Sequence, residues 1–142
     1  MRRGLQITAG LLPLLLGLAL QILLIAQQTL LLPYFWLGIV FLIVWATLGY
    51  HLCGWDDSIA AVTVRAHAIA LAFLLINLFQ TLILGHFFAN ALGSLTQSYF
   101  LILLNLGTSL VPGNTIQLWM AELAAFILMV GAFYAGCRIR RR

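Results

Sequence analysis

Of the three acidic residues in this chain, Asp56, Asp57 and Glu122, only Glu122 stands inside a long apolar run. It falls about six residues into a helix expected to begin near Ile116, so roughly 9 Å deep at the helical rise. A carboxyl group there needs a partner or a proton, either neutral and hydrogen-bonded or engaged in proton or cation coupling. Gln21 and Gln80 fall at comparable depth on other apolar runs, and His86 lies nearer the surface. Asn77, Gln80 and Thr81, spaced i, i+3 and i+4, share one helical face. Glu122, Gln80, Asn77, Gln21 and His86 therefore form a candidate intramembrane polar cluster. Its first reading is an interhelical hydrogen-bond patch, and its second is a polar lining for a substrate or ion path.

Other reactive residues offer less. His51 and His67 both map near one boundary, where they could approach each other as bis-histidine haem ligation would require, but nothing else marks a haem pocket. Cys53 and Cys137 map to the same reducing side without a CxxC spacing, which argues against a structural disulfide. No nucleophile motif, phosphate loop or metal-ligand cluster is present, so the sequence supports neither an enzyme nor a cofactor.

The elements that position these residues follow from composition. The chain has 142 residues, 64% hydrophobic and 7% charged, which allows one domain and excludes a water-soluble one. Disorder, a disulfide-stapled module and a coiled-coil rod are excluded with it. From Gly4 to Trp55 and from Ala66 to Ala121 no residue carries charge, and each run exceeds twice the roughly 20 residues that cross a bilayer. The basic residues stand in short clusters beside apolar runs, where they act as topological anchors toward lipid and leave nucleic acid without a binding surface.

The reading is an all-α integral membrane protein of one polytopic domain, with spans over about 5–26, 34–52, 64–88 and 116–137. Pro13 should kink the first span. A cleaved signal peptide is disfavoured because the apolar core is too long and Leu24-Ile25-Ala26 is no cleavage site. Gln27-Gln28-Thr29 and Pro33 predict a tight hairpin. Gly38, Leu42, Trp45 and Gly49 recur at helical spacing on the second span, giving two notches for a neighbouring helix. Asp57 or Ser58 should cap the third span, where Ala61, Ala68 and Ala72 share a face with Arg65.

Arg65-Ala66-His67 resembles the Arg-Ala-His helix signature of the membrane-associated eicosanoid and glutathione metabolism family, whose members are small four-helix proteins. The resemblance covers three residues. Ile69 and Ala72 stand where that pattern continues with asparagine and glutamate, and the tripeptide falls on the third span instead of the second. No substrate or cofactor is carried over from it.

Residues 95–111 admit a fifth span or a shorter excursion. Four crossings place all seven arginines on one side, whereas a fifth would send Arg138 to Arg142 outside, against the positive-inside rule. The segment is therefore read as a re-entrant or interfacial helix between the third and fourth spans, with both termini and the Trp55 to Ser58 loop cytoplasmic. On the last span Gly131 with Ala135, and Ala132 with Gly136, form overlapping small-xxx-small pairs. The function expected is that of an accessory or scaffold subunit in the plasma membrane, packed against other membrane proteins or itself. The alternative is a small oligomeric transporter or channel using Glu122 and the polar face of the third span.

Overall fold

The structure, a computed structural model, describes residues 2–27, 32–53, 58–86, 88, 90–111 and 117–142. Gln28-Thr29 of the first hairpin, Trp55–Asp57 of the acidic loop, and the Pro112–Asn114 turn lie outside the described residues. All regular structure among the described residues is helical: α1 Arg2–Ala9, α2 Leu12–Ala26, α3 Tyr34–Leu52, α4 Ile59–Leu78, α5 Ala91–Phe100, α6 Leu104–Leu110 and α7 Leu118–Arg140. A π turn over Phe79–Leu84 extends α4, and a short 3-10 turn over Leu101–Leu103 joins α5 to α6. Four helical stretches are long and apolar enough to cross a membrane: Gly4–Ala26, Tyr34–Leu52, Ile59–Leu84 and Leu118–Arg140.

The first stretch breaks one turn before Pro13, at Gly10 and Leu11, so α2 begins with proline in its first turn, where the missing N–H costs nothing. The third stops at Gly85, whose φ of 70° is a left-handed conformation that glycine adopts without strain. Its end thus comes sooner than the Phe88 expected from hydropathy. Ser58 caps α4 by accepting from the Ala61 N–H at 3.2 Å.

The helices alternate in direction. Gly49 on α3 faces the Phe133 carbonyl of α7, and Gly136 of α7 faces the Ala46 carbonyl of α3. Trp45 against Phe133, Gly49 against Cys137 and Tyr50 against Arg140 show that the two helices run side by side in the same sense. An added Cβ would stand 2.3 and 1.9 Å from those oxygens, close approaches that only glycine permits. Arg140 on α7 donates to the Tyr50 and His51 carbonyls at 2.8 and 2.9 Å, capping the C-terminal end of α3. Gln6 of α1 donates to the Leu52 carbonyl at 3.3 Å and accepts from Arg65 of α4 at 3.0 Å. Gln6, Leu52, Arg65 and Arg140 thereby mark one basic end of the bundle. Residues around Gln21, Tyr34, Leu84 and Leu118 mark the opposite end.

Residues 91–110 enter from that opposite end as a bent wedge. Gly17 of α2 lies against the Ser98 carbonyl, Gly38 of α3 against the Leu106 side chain and Ile102 carbonyl, and Gly107 of α6 against the Ala121 carbonyl of α7. Tyr99, Phe100 and Leu103 join Trp45, Met129 and Phe133 in the fully buried core. The wedge begins at Asn90, earlier than the residue 95 expected, because the Asn90 side chain caps α5 by accepting from the Gly93 N–H at 3.1 Å. On α4 the buried alanines are Ala66 and Ala70, whereas Ala68 and Ala72 are exposed. In a helix apolar all round, hydropathy cannot say which face turns inward.

Candidate buried polar site

Asn77 stands at the centre of the polar site. Its amide nitrogen carries two hydrogens, one donated to the Thr96 carbonyl of α5 at 3.1 Å and the other to Glu122 Oε1 of α7 at 3.0 Å. One side chain thus ties α4 to the inserted wedge and to the last helix. Asn77, Thr96 and Glu122 are all at least 99% buried. Three buried side-chain atoms around this point have no hydrogen-bond partner: Asn77 Oδ1, Glu122 Oε2 and Gln80 Nε2. Leaving each such atom unsatisfied costs about 1–3 kcal/mol, so the site is a place where the fold holds polar groups at a disadvantage.

Gln80, one turn further along α4, uses its Oε1 to accept from the Phe88 N–H at 2.6 Å. It pins the chain as it leaves the π turn, where the His86 N–H also bonds the Gln80 carbonyl at 3.1 Å. Thr81 bonds back to the Asn77 carbonyl, so of the three polar residues on this face only Asn77 reaches across to another long helix. Gln21 is engaged elsewhere: its Nε2 donates to Ser94 Oγ at 3.3 Å and its Oε1 accepts from the Ser98 hydroxyl, which clamps α2 to α5. His86 is exposed, with Nδ1 2.9 Å from the Leu84 carbonyl. The structure therefore brings Glu122 and Asn77 together, keeps Gln80 buried on the same helix, and separates Gln21 and His86 from them.

Thr96, Tyr99 and Gln6 complete the polar architecture, and sequence reasoning did not single them out as partners. Tyr99 donates its hydroxyl to the Gly10 carbonyl at 2.7 Å, at the break between α1 and α2. The signal for α5 was present in Ser94 and Ser98, spaced i, i+4 on one helical face toward Gln21. Those residues break the apolar pattern when hydropathy alone is scanned.

The two histidines near the basic end do not form a pair of ligands. The Trp45 indole N–H donates to His67 Nε2 at 3.1 Å, and His67 Nδ1 lies 2.8 Å from the Thr63 carbonyl. These partners define the Nδ1–H tautomer and occupy both ring nitrogens. Phe126 and Phe133 meet the His67 ring edge to face. His51 is exposed, with its ring against Tyr50. Cys53 and Cys137 are buried free cysteines close enough to interact with each other. Cys137 also approaches the Gly49 carbonyl at 3.3 Å. Among the described residues no three His, Cys, Asp or Glu side chains converge as a metal site.

The small-residue pairs of α7 divide between two faces. Gly136 and Ala132 turn toward the bundle, Gly136 against Ala46 and Ala132 against the core. Gly131 and Ala135 are exposed, and a Cβ added at Gly131 would meet nothing within 4 Å. Compared with known protein families, curated proteins and solved structures, the chain matches none of them.

Proposed function

We propose that this chain is a four-pass protein of the plasma membrane that works as an accessory or scaffold subunit, packing its last helix against a transmembrane helix of another membrane protein. The observation that carries this reading is the division of α7. Its inward glycine is used within the chain, while Gly131 and Ala135 leave an open notch between the exposed Ile127 and Tyr134. In a bilayer, where apolar surface alone gives helices no reason to associate, such notches are what lets two backbones approach. The arginines at the basic end support cytoplasmic termini by the positive-inside rule. The Ala91–Leu110 wedge then re-enters from the outer side, its backbone sheltered by protein as irregular structure at membrane depth must be.

Mass determination of the protein purified in mild detergent tests the reading. The expected result is an assembly heavier than one chain, whose mass identifies a foreign partner or a second copy, and which falls to a single folded chain in Gly131→Leu. A wild-type protein that is monomeric, or an assembly that survives Gly131→Leu, overturns it. A second reading, an oligomeric transporter, is favoured by one observation, the buried Glu122–Asn77–Thr96 junction between three helices. It requires proton- or cation-gradient-dependent flux in reconstituted vesicles.

A further inference from the structure

Glu122 and Asn77 already share one hydrogen bond, from Asn77 Nδ2 to Glu122 Oε1 at 3.0 Å. The oxygens left over on the same two groups, Glu122 Oε2 and Asn77 Oδ1, are both buried and both without a partner. An amide oxygen only accepts, and so does a carboxylate oxygen, so these two cannot bond each other while Glu122 is ionised. A proton on Oε2 turns one of them into a donor. We propose that Glu122 is a proton-binding site, in which Oε2–H donates to Asn77 Oδ1 and closes a two-bond ring between a carboxylic acid and a carboxamide. The ring joins α4 to α7, and the second Nδ2 hydrogen of Asn77 stays on the Thr96 carbonyl of the wedge.

The alternative occupant of two such oxygens is a metal cation, but hard cations ask for about six oxygen ligands. The pair offers two, with the Gln80 Nε2 donor one turn away on α4. Among the described residues no ion pair or charged hydrogen-bond partner compensates an ionised Glu122. Its partner is Asn77 of α4, which also holds the Thr96 carbonyl of α5, and the preceding residue on α7, Ala121, meets Gly107 of α6 through its backbone. His67 lies ten residues before Asn77 on α4, about 15 Å along the axis, and its ring is engaged by Trp45 and Thr63. Tyr99 of α5 turns its hydroxyl to Gly10. Tyr34, at the start of α3, lines a groove with Leu101, Leu104, Asn105 and Thr108 instead. Release of the proton removes one of the ring's two bonds and leaves a charge in an apolar interior. The junction of α4, α5 and α7 is therefore a clamp that a single proton closes, and this rests on hydrogen-bond geometry, on neither reading of the protein's task.

Infrared spectroscopy of the full-length protein in lipid vesicles tests the assignment. Glu122 is the only acidic side chain besides Asp56 and Asp57, so in an Asp56→Asn, Asp57→Asn background it is the one side-chain carboxyl. The expected spectrum at neutral pH contains the carbonyl stretch of a protonated, hydrogen-bonded carboxylic acid. That band should vanish in Glu122→Gln, a variant that keeps the fold because its amide N–H replaces the acid O–H as donor to Asn77 Oδ1. In Asn77→Leu it should shift to the position of a free acid. Should Asn77→Leu not fold, alkaline titration of the background protein supplies the second measurement, with the acid band converting to carboxylate. Carboxylate bands alone at neutral pH overturn the proposal. So does an acid band that sodium or lithium ions remove at constant pH, since the site would then take a metal ion.

Discussion

Gly131 and Gly136 lie five residues apart on the same helix, and their replacement by alanine should act in opposite directions. At Gly131 an added methyl meets nothing within 4 Å. Within the single chain what remains there is the helix preference for alanine over glycine, so in protein dissociated to single chains Gly131→Ala should stabilise by up to about 1 kcal/mol. At Gly136 the same methyl would stand 1.9 Å from the Ala46 carbonyl and 3.0 Å from the Tyr50 nitrogen, both backbone atoms that no rotamer change can move. To bring that 1.9 Å to ordinary contact, α3 must withdraw by about 1.5 Å. The withdrawal pulls Trp45 from Phe133, whose rings are 5.8 Å apart, and Gly49 from the Cys137 thiol. Overpacking of this kind costs about 1–3 kcal/mol, which lowers the melting temperature by roughly 3–10 °C for a chain of this size. Because both cysteines are buried, a thiol-reactive dye reports unfolding in detergent directly. Equal melting temperatures for the two variants, or a Gly136→Ala protein at or above wild type, would refute the α3–α7 packing and with it the division of α7 into inward and outward faces.

Tyr99→Phe should leave the buried Gly10 carbonyl without its donor and cost about 1–3 kcal/mol; an unchanged melting temperature in the same dye assay would separate the wedge from the break between α1 and α2. Cys53 and Cys137 should join within one chain on treatment with a membrane-permeant thiol oxidant, read as the loss of two hydrogens from the intact mass and of both alkylation sites. Cross-links appearing between chains instead, or persisting in Cys53→Ser, would contradict the meeting of the α3 and α7 ends.

That four long helices are apolar enough to cross a membrane was legible in the sequence because hydropathy reports what a segment can bury. The third begins at Ile59, beyond the reach of the uncharged run, because Ser58 caps it. Helical spacing singled out Gly38, Gly49 and Gly136, which meet neighbouring helices, but also Gly131, which meets nothing, because small-residue spacing marks a notch without saying which face turns inward. Polar pairing was another matter. Counting depth along each helix placed Glu122 level with Gln21 and Gln80, but level residues on different helices meet only if nothing lies between them. For Gln21 a wedge does, since Ser94 and Ser98 engage it, while Gln80 is held by the Phe88 N–H ahead of the wedge. The partner of Asn77 on α5 is the backbone carbonyl of Thr96, a group every residue carries and no sequence pattern marks. The chemistry of Glu122 is set less by its depth than by what its neighbours have already used. Asn77 spends both amide hydrogens on Thr96 and Glu122, its own oxygen is left facing a need for a donor, and the carboxyl group bonded to it is the one partner in this pair that can supply one by taking up a proton.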